Sequence, residues 1–237
     1  NLPQLMQTFD LTESRAEMVL PTIVLYQQIL ALSNVTQIVV SAAQFGDGIT
    51  ISHIASRTGD KWMEVIEDQI VSFARNLGRK YKHDANHAAS VENTSLLLFD
   101  RMVRVHGLGR RERFLLKIAA ILHDIGKYVS LRRHYFYSYR LIISSDIIGF
   151  SEVERALIAN IAYYHSKGTP SLSDPNFAAL TLAQRITLAK LAAIIRVADA
   201  VDRSHMQKAT IRDIALSGED LIITVTADQD ISLEEWT

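Results

Sequence analysis

From Gly59-Asp60 onward, apolar positions recur every three or four residues almost without a break. That is the period of helices with one buried face, and it predicts helices over about 61–81, 84–106, 109–125, 134–145, 151–165 and 181–204. Gly107, Gly109, Gly126, Gly149 and Gly168 punctuate them, with Gly126 placed as a helix C-cap. From Ala209 the period falls to two, so Ile211–Ala215 and Leu221–Thr226, joined through Gly218-Glu219-Asp220, predict a small hairpin that needs a further partner. Before Gly59 the pattern is α/β: a helix over Leu11–Leu32 opening at Thr12, then a β-branched run, Gln37–Ala42, that stops near the turn signal Gly46-Asp47-Gly48. One helix and one strand cannot bury each other's apolar faces, which places the rest of their sheet upstream of Asn1. The run Ala16–Leu32 is apolar enough for a membrane span, but Glu17, Pro21, Gln27 and Gln28 favour a packed helix. The start at Asn1 without Met, and without a signal-peptide pattern, reads as a piece of a longer protein.

Polar residues interrupt the apolar faces at a few positions, and these carry the candidate chemistry. Phe114 to Ile125 is apolar nearly all round, which predicts a central helix, yet it contains His123-Asp124. A buried carboxylate without a partner costs several kcal/mol. The pair therefore demands a cation, a network of donors or a metal, and the free carbonyls at a helix C-terminus favour a cation there. His87 lies on the stripe of Val91, Leu98, Met102 and Val105; Asp199 shares a face with Leu188, Ala192 and Ile195; His165 shares one with Ile158 and Ile161. Taken alone, a histidine on such a face is an ordinary core histidine. Four helices that each point a potential ligand inward suit a divalent ion such as Mn, Fe, Zn or Mg. His53, His83, His106 and His205, in turns or at helix ends, read as surface residues.

Charge and composition narrow the field. With 48% hydrophobic residues in 237, the chain is globular; a net charge of −1 offers no field for nucleic acid, so any anion site must be local. Cysteine is absent, which excludes disulfides and thiolate metal sites and suits the cytoplasm. Lys127, Arg132, Arg133, His134 and Arg140 follow the His-Asp pair, and Lys167 follows His165; together they form a candidate phosphate-binding strip. Arg110, Arg111 and Arg113 read instead as a solvated helix face, GLGRRERF as an inter-helix turn rather than a phosphate loop, and Arg196 as the partner of a carboxylate.

The order His, His-Asp, Asp on successive helices resembles the HD superfamily of metal-dependent phosphohydrolases, with His87, His123, Asp124 and Asp199 in the four positions. The wider text, AAILHDIGKYVS with RRHYFYSYRLI, IAYYHSKGTP and LAAIIRVADAVDRS, resembles the C-terminal half of the exopolyphosphatase and guanosine pentaphosphate phosphohydrolase family. LTESRAEMVLPTIVLYQQIL and FGDGI look like the last helix and strand of that family's actin-like part. The resemblance implies a mainly α fold: residues 1–58 as the end of an actin-like, ribonuclease H-like α/β domain, 59–208 as an HD-type all-α domain, and 209–237 as a small, incomplete hairpin.

It also implies that terminal phosphate is released, with Mg²⁺, in an actin-like cleft that would lie before Asn1. This portion would then bind inorganic polyphosphate or guanosine pentaphosphate for that cleft and mediate a homodimer, in the cytoplasm and without membrane or nucleic acid. Tyr137 stands where the family usually has the histidine of a His-Ser pair, and so removes one expected ligand. That leaves a single ion held by His87, His123, Asp124 and Asp199, with His165 as a further possibility, or a site closed by hydrogen bonds. The alternatives are a stand-alone metal-dependent phosphohydrolase acting on nucleotides or other phosphate esters, with Asp124 as the candidate catalytic residue, or a dimerisation platform with a vestigial site.

Overall fold

The computed structural model describes residues 2–33, 35, 37, 61–218 and 220–236, the side chains of 61 and 62 excepted. The chain divides into two compact units, Asn1–Gly59 and Asp60–Thr237. Apart from Gln37, the run expected as a strand lies outside the described residues, as do Gly46-Asp47-Gly48 and His53. In the first unit α1 (Leu2–Phe9) turns at Asp10 into α2 (Glu13–Ser33). Helix α2 has the length and hydropathy of a membrane span. The packing expected for it is not met among the described residues: only its Ala16 is buried, while Met18, Leu20, Ile23, Leu25 and Ile29 are exposed. Its described neighbour α1 is two turns long and too short to cover it.

The second unit is a helical assembly: α3 (Lys61–Lys80), α4 (Ala85–Arg101), α5 (Val103–His106), α6 (Arg110–Leu122), α7 (His134–Ile143), α8 (Glu152–Tyr164), α9 (Pro175–Ala178) and α10 (Leu182–Val201). Helix α6 is the centre, as its all-round apolar surface requires: Phe114, Leu115, Leu116, Ile118, Ala119, Ala120, Ile121 and Leu122 are all buried. It is packed on by α3, α4, α8 and α10, while α7 lies against α8. Helix starts follow their side chains. Asp84 caps α4 by accepting from the amides of Asn86 and His87, and Ser151 with Glu154 and Thr181 with Gln184 form reciprocal boxes at the starts of α8 and α10.

The boundaries depart from the pattern at three places that matter. The helix expected over 84–106 breaks at Met102, whose backbone (φ −104°, ψ 13°) leaves the helical region. The helix expected to reach 125 ends at Leu122, with His123 as its cap, and a 3-10 turn, Ile125–Tyr128, follows Asp124. Gly126 is not the left-handed C-cap expected of it. It allows a close approach instead: a Cβ there would stand 2.1 Å from the His134 carbonyl oxygen and 2.3 Å from the Ser138 amide nitrogen. The first turn of α7 is thereby pressed onto the segment that carries Asp124. The hairpin is formed by β1 (Ala209–Ser217) and β2 (Asp220–Ala227), antiparallel, with a bulge between Ile211 and Asp213 and left-handed Gly218 (φ 64°) at the turn. A last turn, α11 (Ser232–Glu235), returns to α10, where the Ser204 amide donates to Glu234 Oε1 at 3.0 Å.

Candidate metal centre

Helix ends build the site. His87 lies in the first turn of α4, His123 and His165 cap the C-termini of α6 and α8, and His134 opens α7. Asp199 belongs to the last turn of α10 and Asp202 is the cap of that helix. His87, His123, Asp124, His165, Asp199 and Asp202 are all buried.

The four residues singled out by the motif order converge. His87 Nε2 is 3.2 Å from Asp199 Oδ1, 3.2 Å from His123 Nε2 and 3.7 Å from Asp124 Oδ2, and His123 Nε2 is 3.5 Å from Asp124 Oδ2. Asp124 turns its other oxygen to a second pair, with Oδ1 lying 3.5 Å from His165 Nε2 and 3.4 Å from His134 Nε2. Those two imidazoles are 3.1 Å apart through their Nε2 atoms. Lys127 forms an ion pair with Asp124 Oδ2.

The ring orientations are fixed from outside the cluster. His123 Nδ1 donates to the Ala120 carbonyl at 2.7 Å, and His165 Nδ1 donates to that of Ala162. Each thus uses a free carbonyl of its own helix end and leaves Nε2 facing the cluster. His87 Nδ1 donates to Asp202 Oδ2 at 2.9 Å, and Asp202 is held by the backbone and side-chain amides of Gln207 at 2.7 and 2.9 Å. With Nδ1 carrying the proton, a neutral His87 would turn a bare Nε2 toward the Asp199 carboxylate and another bare imidazole nitrogen.

That is repulsive unless a positive charge stands between them. The acidities report the same demand. Burial pulls His87 down, but the Asp199 and Asp202 carboxylates outweigh it and raise it to about 9. Burial works to raise Asp124, yet His123, His165 and Lys127 hold it well below the usual carboxylate range. Burial likewise opposes the lowering of Asp199 by His123 and His87.

The donor set fits a divalent ion. Both oxygens of Asp124 are buried and accept no hydrogen bond of acceptable geometry, although imidazole nitrogens surround them. Ligand atoms of His87, His123 and Asp199, and likewise of His123, Asp124 and His165, lie within 4.8 Å of one another. The separations of 3.2–3.7 Å from the Nε2 atoms of His87 and His123 to each other, to Asp199 Oδ1 and to Asp124 Oδ2 lie close to the edge of about 3.3–3.6 Å of a tetrahedron with bonds of about 2.0–2.2 Å.

Sequence reasoning passed over several neighbours. His205 is not a surface residue: its ring stacks on His87 at 3.6 Å, its Nδ1 meets Asp84 Oδ2 at 3.2 Å, and its Nε2 lies 3.2 Å from Lys127 Nζ. His106 is buried as well, bonded to the Phe99 carbonyl at 2.8 Å, and His83 is half-buried. Asp202 and His205 continue from Asp199 at intervals of three across the end of α10, the signal that could have revealed those two.

Of the candidate phosphate-binding residues, His134 faces Asp124, Lys127 pairs with it, and Lys167 pairs with Asp174. Arg132, Arg133 and Arg140 are exposed and form no ion pair among the described residues; Arg133 and Arg140 lie 5.2 and 5.4 Å from the Phe136 ring. Tyr137 packs edge-on against Phe136 and stays out of the cluster, while its neighbour Ser138 accepts the Gly126 amide at 2.9 Å. Arg196 donates to the Lys167 carbonyl at 3.1 Å rather than to the expected carboxylate. Arg110, Arg111 and Arg113 pair with Glu67, Glu154 and Asp100, as a solvated face does.

A family model described as Ppx/GppA phosphatase, domain III, matches residues 72–235. Among curated proteins, the guanosine-5'-triphosphate,3'-diphosphate pyrophosphatase of Photobacterium profundum is 25% identical over 149 residues, which cover 62% of this chain and 29% of that relative. The chain thus spans under a third of the length of the relative it matches.

Proposed function

The chain belongs to the Ppx/GppA phosphatase family, and from that premise we propose that it is the helical, C-terminal portion of a hydrolase that binds polyphosphate or guanosine pentaphosphate. In this reading an actin-like half outside the chain releases terminal phosphate with Mg²⁺, and the helical portion holds the polyanion and contributes to a homodimer. The protein works in the cytoplasm, away from membrane and nucleic acid. The observation that carries the reading is the set of guanidiniums on Arg132, Arg133 and Arg140, exposed, without carboxylate partners among the described residues, and on or beside the helix whose first residue, His134, faces Asp124. Such charges bind a polyanion by displacing its counterions, so affinity falls with salt. The test is a salt titration of polyphosphate binding with an Arg132→Ala, Arg133→Ala variant. A loss of about tenfold with a shallower salt slope is expected; unchanged affinity overturns the reading.

Asp124, whose buried oxygens accept no hydrogen bond of acceptable geometry although Lys127 pairs with Oδ2, favours a second reading, in which the cluster is itself a centre for phosphate ester hydrolysis. His87, His123, Asp124 and Asp199 would hold one divalent ion, Mn, Fe, Zn or Mg, with His165 and His134 on the far oxygen of Asp124. When bound, such an ion polarises a phosphoryl oxygen and activates water. The chain's own part is orientation and charge: Asp202, Ala120 and Ala162 aim three imidazoles inward, and Lys127 pairs with Asp124 Oδ2, the same oxygen that faces His87 and His123. Metal analysis of the purified protein, then a Mn²⁺-supplemented assay on nucleotides, tests it; neither metal nor turnover would end it.

A further inference from the structure

A cleft of about 430 Å³ opens directly onto the cluster. His165 and Asp199 line it, and both belong to the donor set described above. Arg196 of α10 and Arg203, just past the end of that helix, also line it; Arg203 Nη1 reaches Asp199 Oδ2 at 3.3 Å, and Arg196 is exposed. Ile223 and Val225 of β2 and Val197 of α10 add an apolar part to the lining. Alternation along β2 turns Ile223 and Val225 to the same side, so one face of the hairpin lines the cleft.

We propose that this cleft binds an organic phosphate monoester, with the phosphate at Arg196 and Arg203 and the organic group on Val197, Ile223 and Val225. The inference rests on the reading of the cluster as a divalent metal centre, because Asp199 and Glu234 balance the two guanidiniums and an ion supplies the excess positive charge a dianion needs. Polyphosphate is the wrong shape of ligand here. It is anionic along its whole length and has nothing to bury against Ile223 and Val225, whereas a single phosphate on an apolar or aromatic body matches both the cationic and the apolar lining. Volume agrees, since about 430 Å³ lies within the range of sites that enclose small molecules. The arginine strip around α7 and this cleft therefore suit different ligands, one extended and one compact.

The test uses the full chain and two separate calorimetric titrations. Mn²⁺ is titrated first, which reads the metal centre alone. Phenyl phosphate, inorganic phosphate and tripolyphosphate are then titrated with and without Mn²⁺. Phenyl phosphate is expected to bind about tenfold more tightly than inorganic phosphate, the gain from burying part of a ring. Val225→Asn should erase that preference and leave inorganic phosphate binding intact. Arg196→Gln, on an exposed side chain that touches none of the cluster, should weaken both ligands by about tenfold without altering Mn²⁺ binding.

Mn²⁺ binding with no phenyl phosphate binding overturns the cleft and leaves the metal centre standing. Phenyl phosphate binding that depends on Arg196 and Val225 without any Mn²⁺ binding keeps the cleft as a monoester site but overturns both the metal centre and the charge argument drawn from it; binding of neither ligand removes both. Tripolyphosphate binding as tightly as phenyl phosphate in an Arg196-dependent way overturns the assignment of an organic ligand.

Discussion

Replacing Gly126 by alanine tests how the Asp124 segment and α7 are joined. The added Cβ would lie 2.1 Å from the His134 carbonyl oxygen and 2.3 Å from the Ser138 amide nitrogen, and 2.8 Å from Ser138 Oγ. The first two are backbone atoms, so no change of rotamer relieves the overlap and the start of α7 must retreat by about 1 Å. Overpacking of this kind costs about 1–3 kcal/mol. The retreat also breaks the bond from the Gly126 amide to Ser138 Oγ, 2.9 Å long and buried, and a buried donor left unpaired costs about 1–3 kcal/mol more. Together they predict about 2–6 kcal/mol, read as a midpoint shift in urea unfolding, or a fall in Tm of roughly 2–4 °C for each kcal/mol.

Gly107 supplies the control. Its φ is 64° with nothing within 4 Å of an added Cβ, so Gly107→Ala incurs only the left-handed penalty of about 1–2 kcal/mol. Adding Ser138→Ala to Gly126→Ala should not rescue it, because the two backbone contacts remain. A Gly126→Ala protein no less stable than Gly107→Ala would refute the close-approach argument and return Gly126 to the role of an ordinary helix stop.

Two further outcomes follow from contacts of the site and its supports. Asp202 orients His87 from outside the cluster, so Asp202→Ala should weaken Mn²⁺ binding by about 10–100-fold while the helical circular dichroism is retained; unchanged affinity would show that Asp202 does not position the ring. Glu154, lowered to about 2 chiefly by the Arg111 guanidinium, favours the folded state above its unfolded value of about 4.3, and that contribution disappears as pH falls from about 5 through about 2. Glu154→Gln should therefore lower stability by about 1 kcal/mol at pH 7, discounted because Arg111 is half exposed. The gap between the two proteins should close in acid; a gap as wide at pH 2 as at pH 7 would contradict the assignment.

The helical part of the fold was legible because burial is periodic. Phe114 to Leu122 can only be a central helix, and the Ser151–Glu154 and Thr181–Gln184 boxes mark helix starts to the residue. The convergence of His87, His123, Asp124 and Asp199 was legible for the same reason: each is a polar residue on an apolar face. Less visible was whatever depends on chain reversal. His205 looked like a surface residue because it follows a helix, yet the turn after Asp202 folds its ring onto His87. Gly126 looked like a cap because a glycine after a helix usually is one, and only the approach of α7 shows that it makes room instead. Arg196, three residues before Asp199, suggests a carboxylate partner, but the acceptor it meets is a backbone carbonyl.

His123 and His165 each close the helix that bears them, by giving an Nδ1 proton to a carbonyl that would otherwise go unbonded. Each residue therefore does two jobs through two different nitrogens, one architectural and one chemical. A descendant that lost all use for the inward-facing nitrogen would still be penalised for discarding the ring, because its helix would end in a bare carbonyl inside the core. Persistence of these histidines would thus be poor proof of activity, and alanine there would confuse a frayed helix with a missing ligand. Asparagine, whose amide can reach the same carbonyl while presenting no imidazole, separates the two.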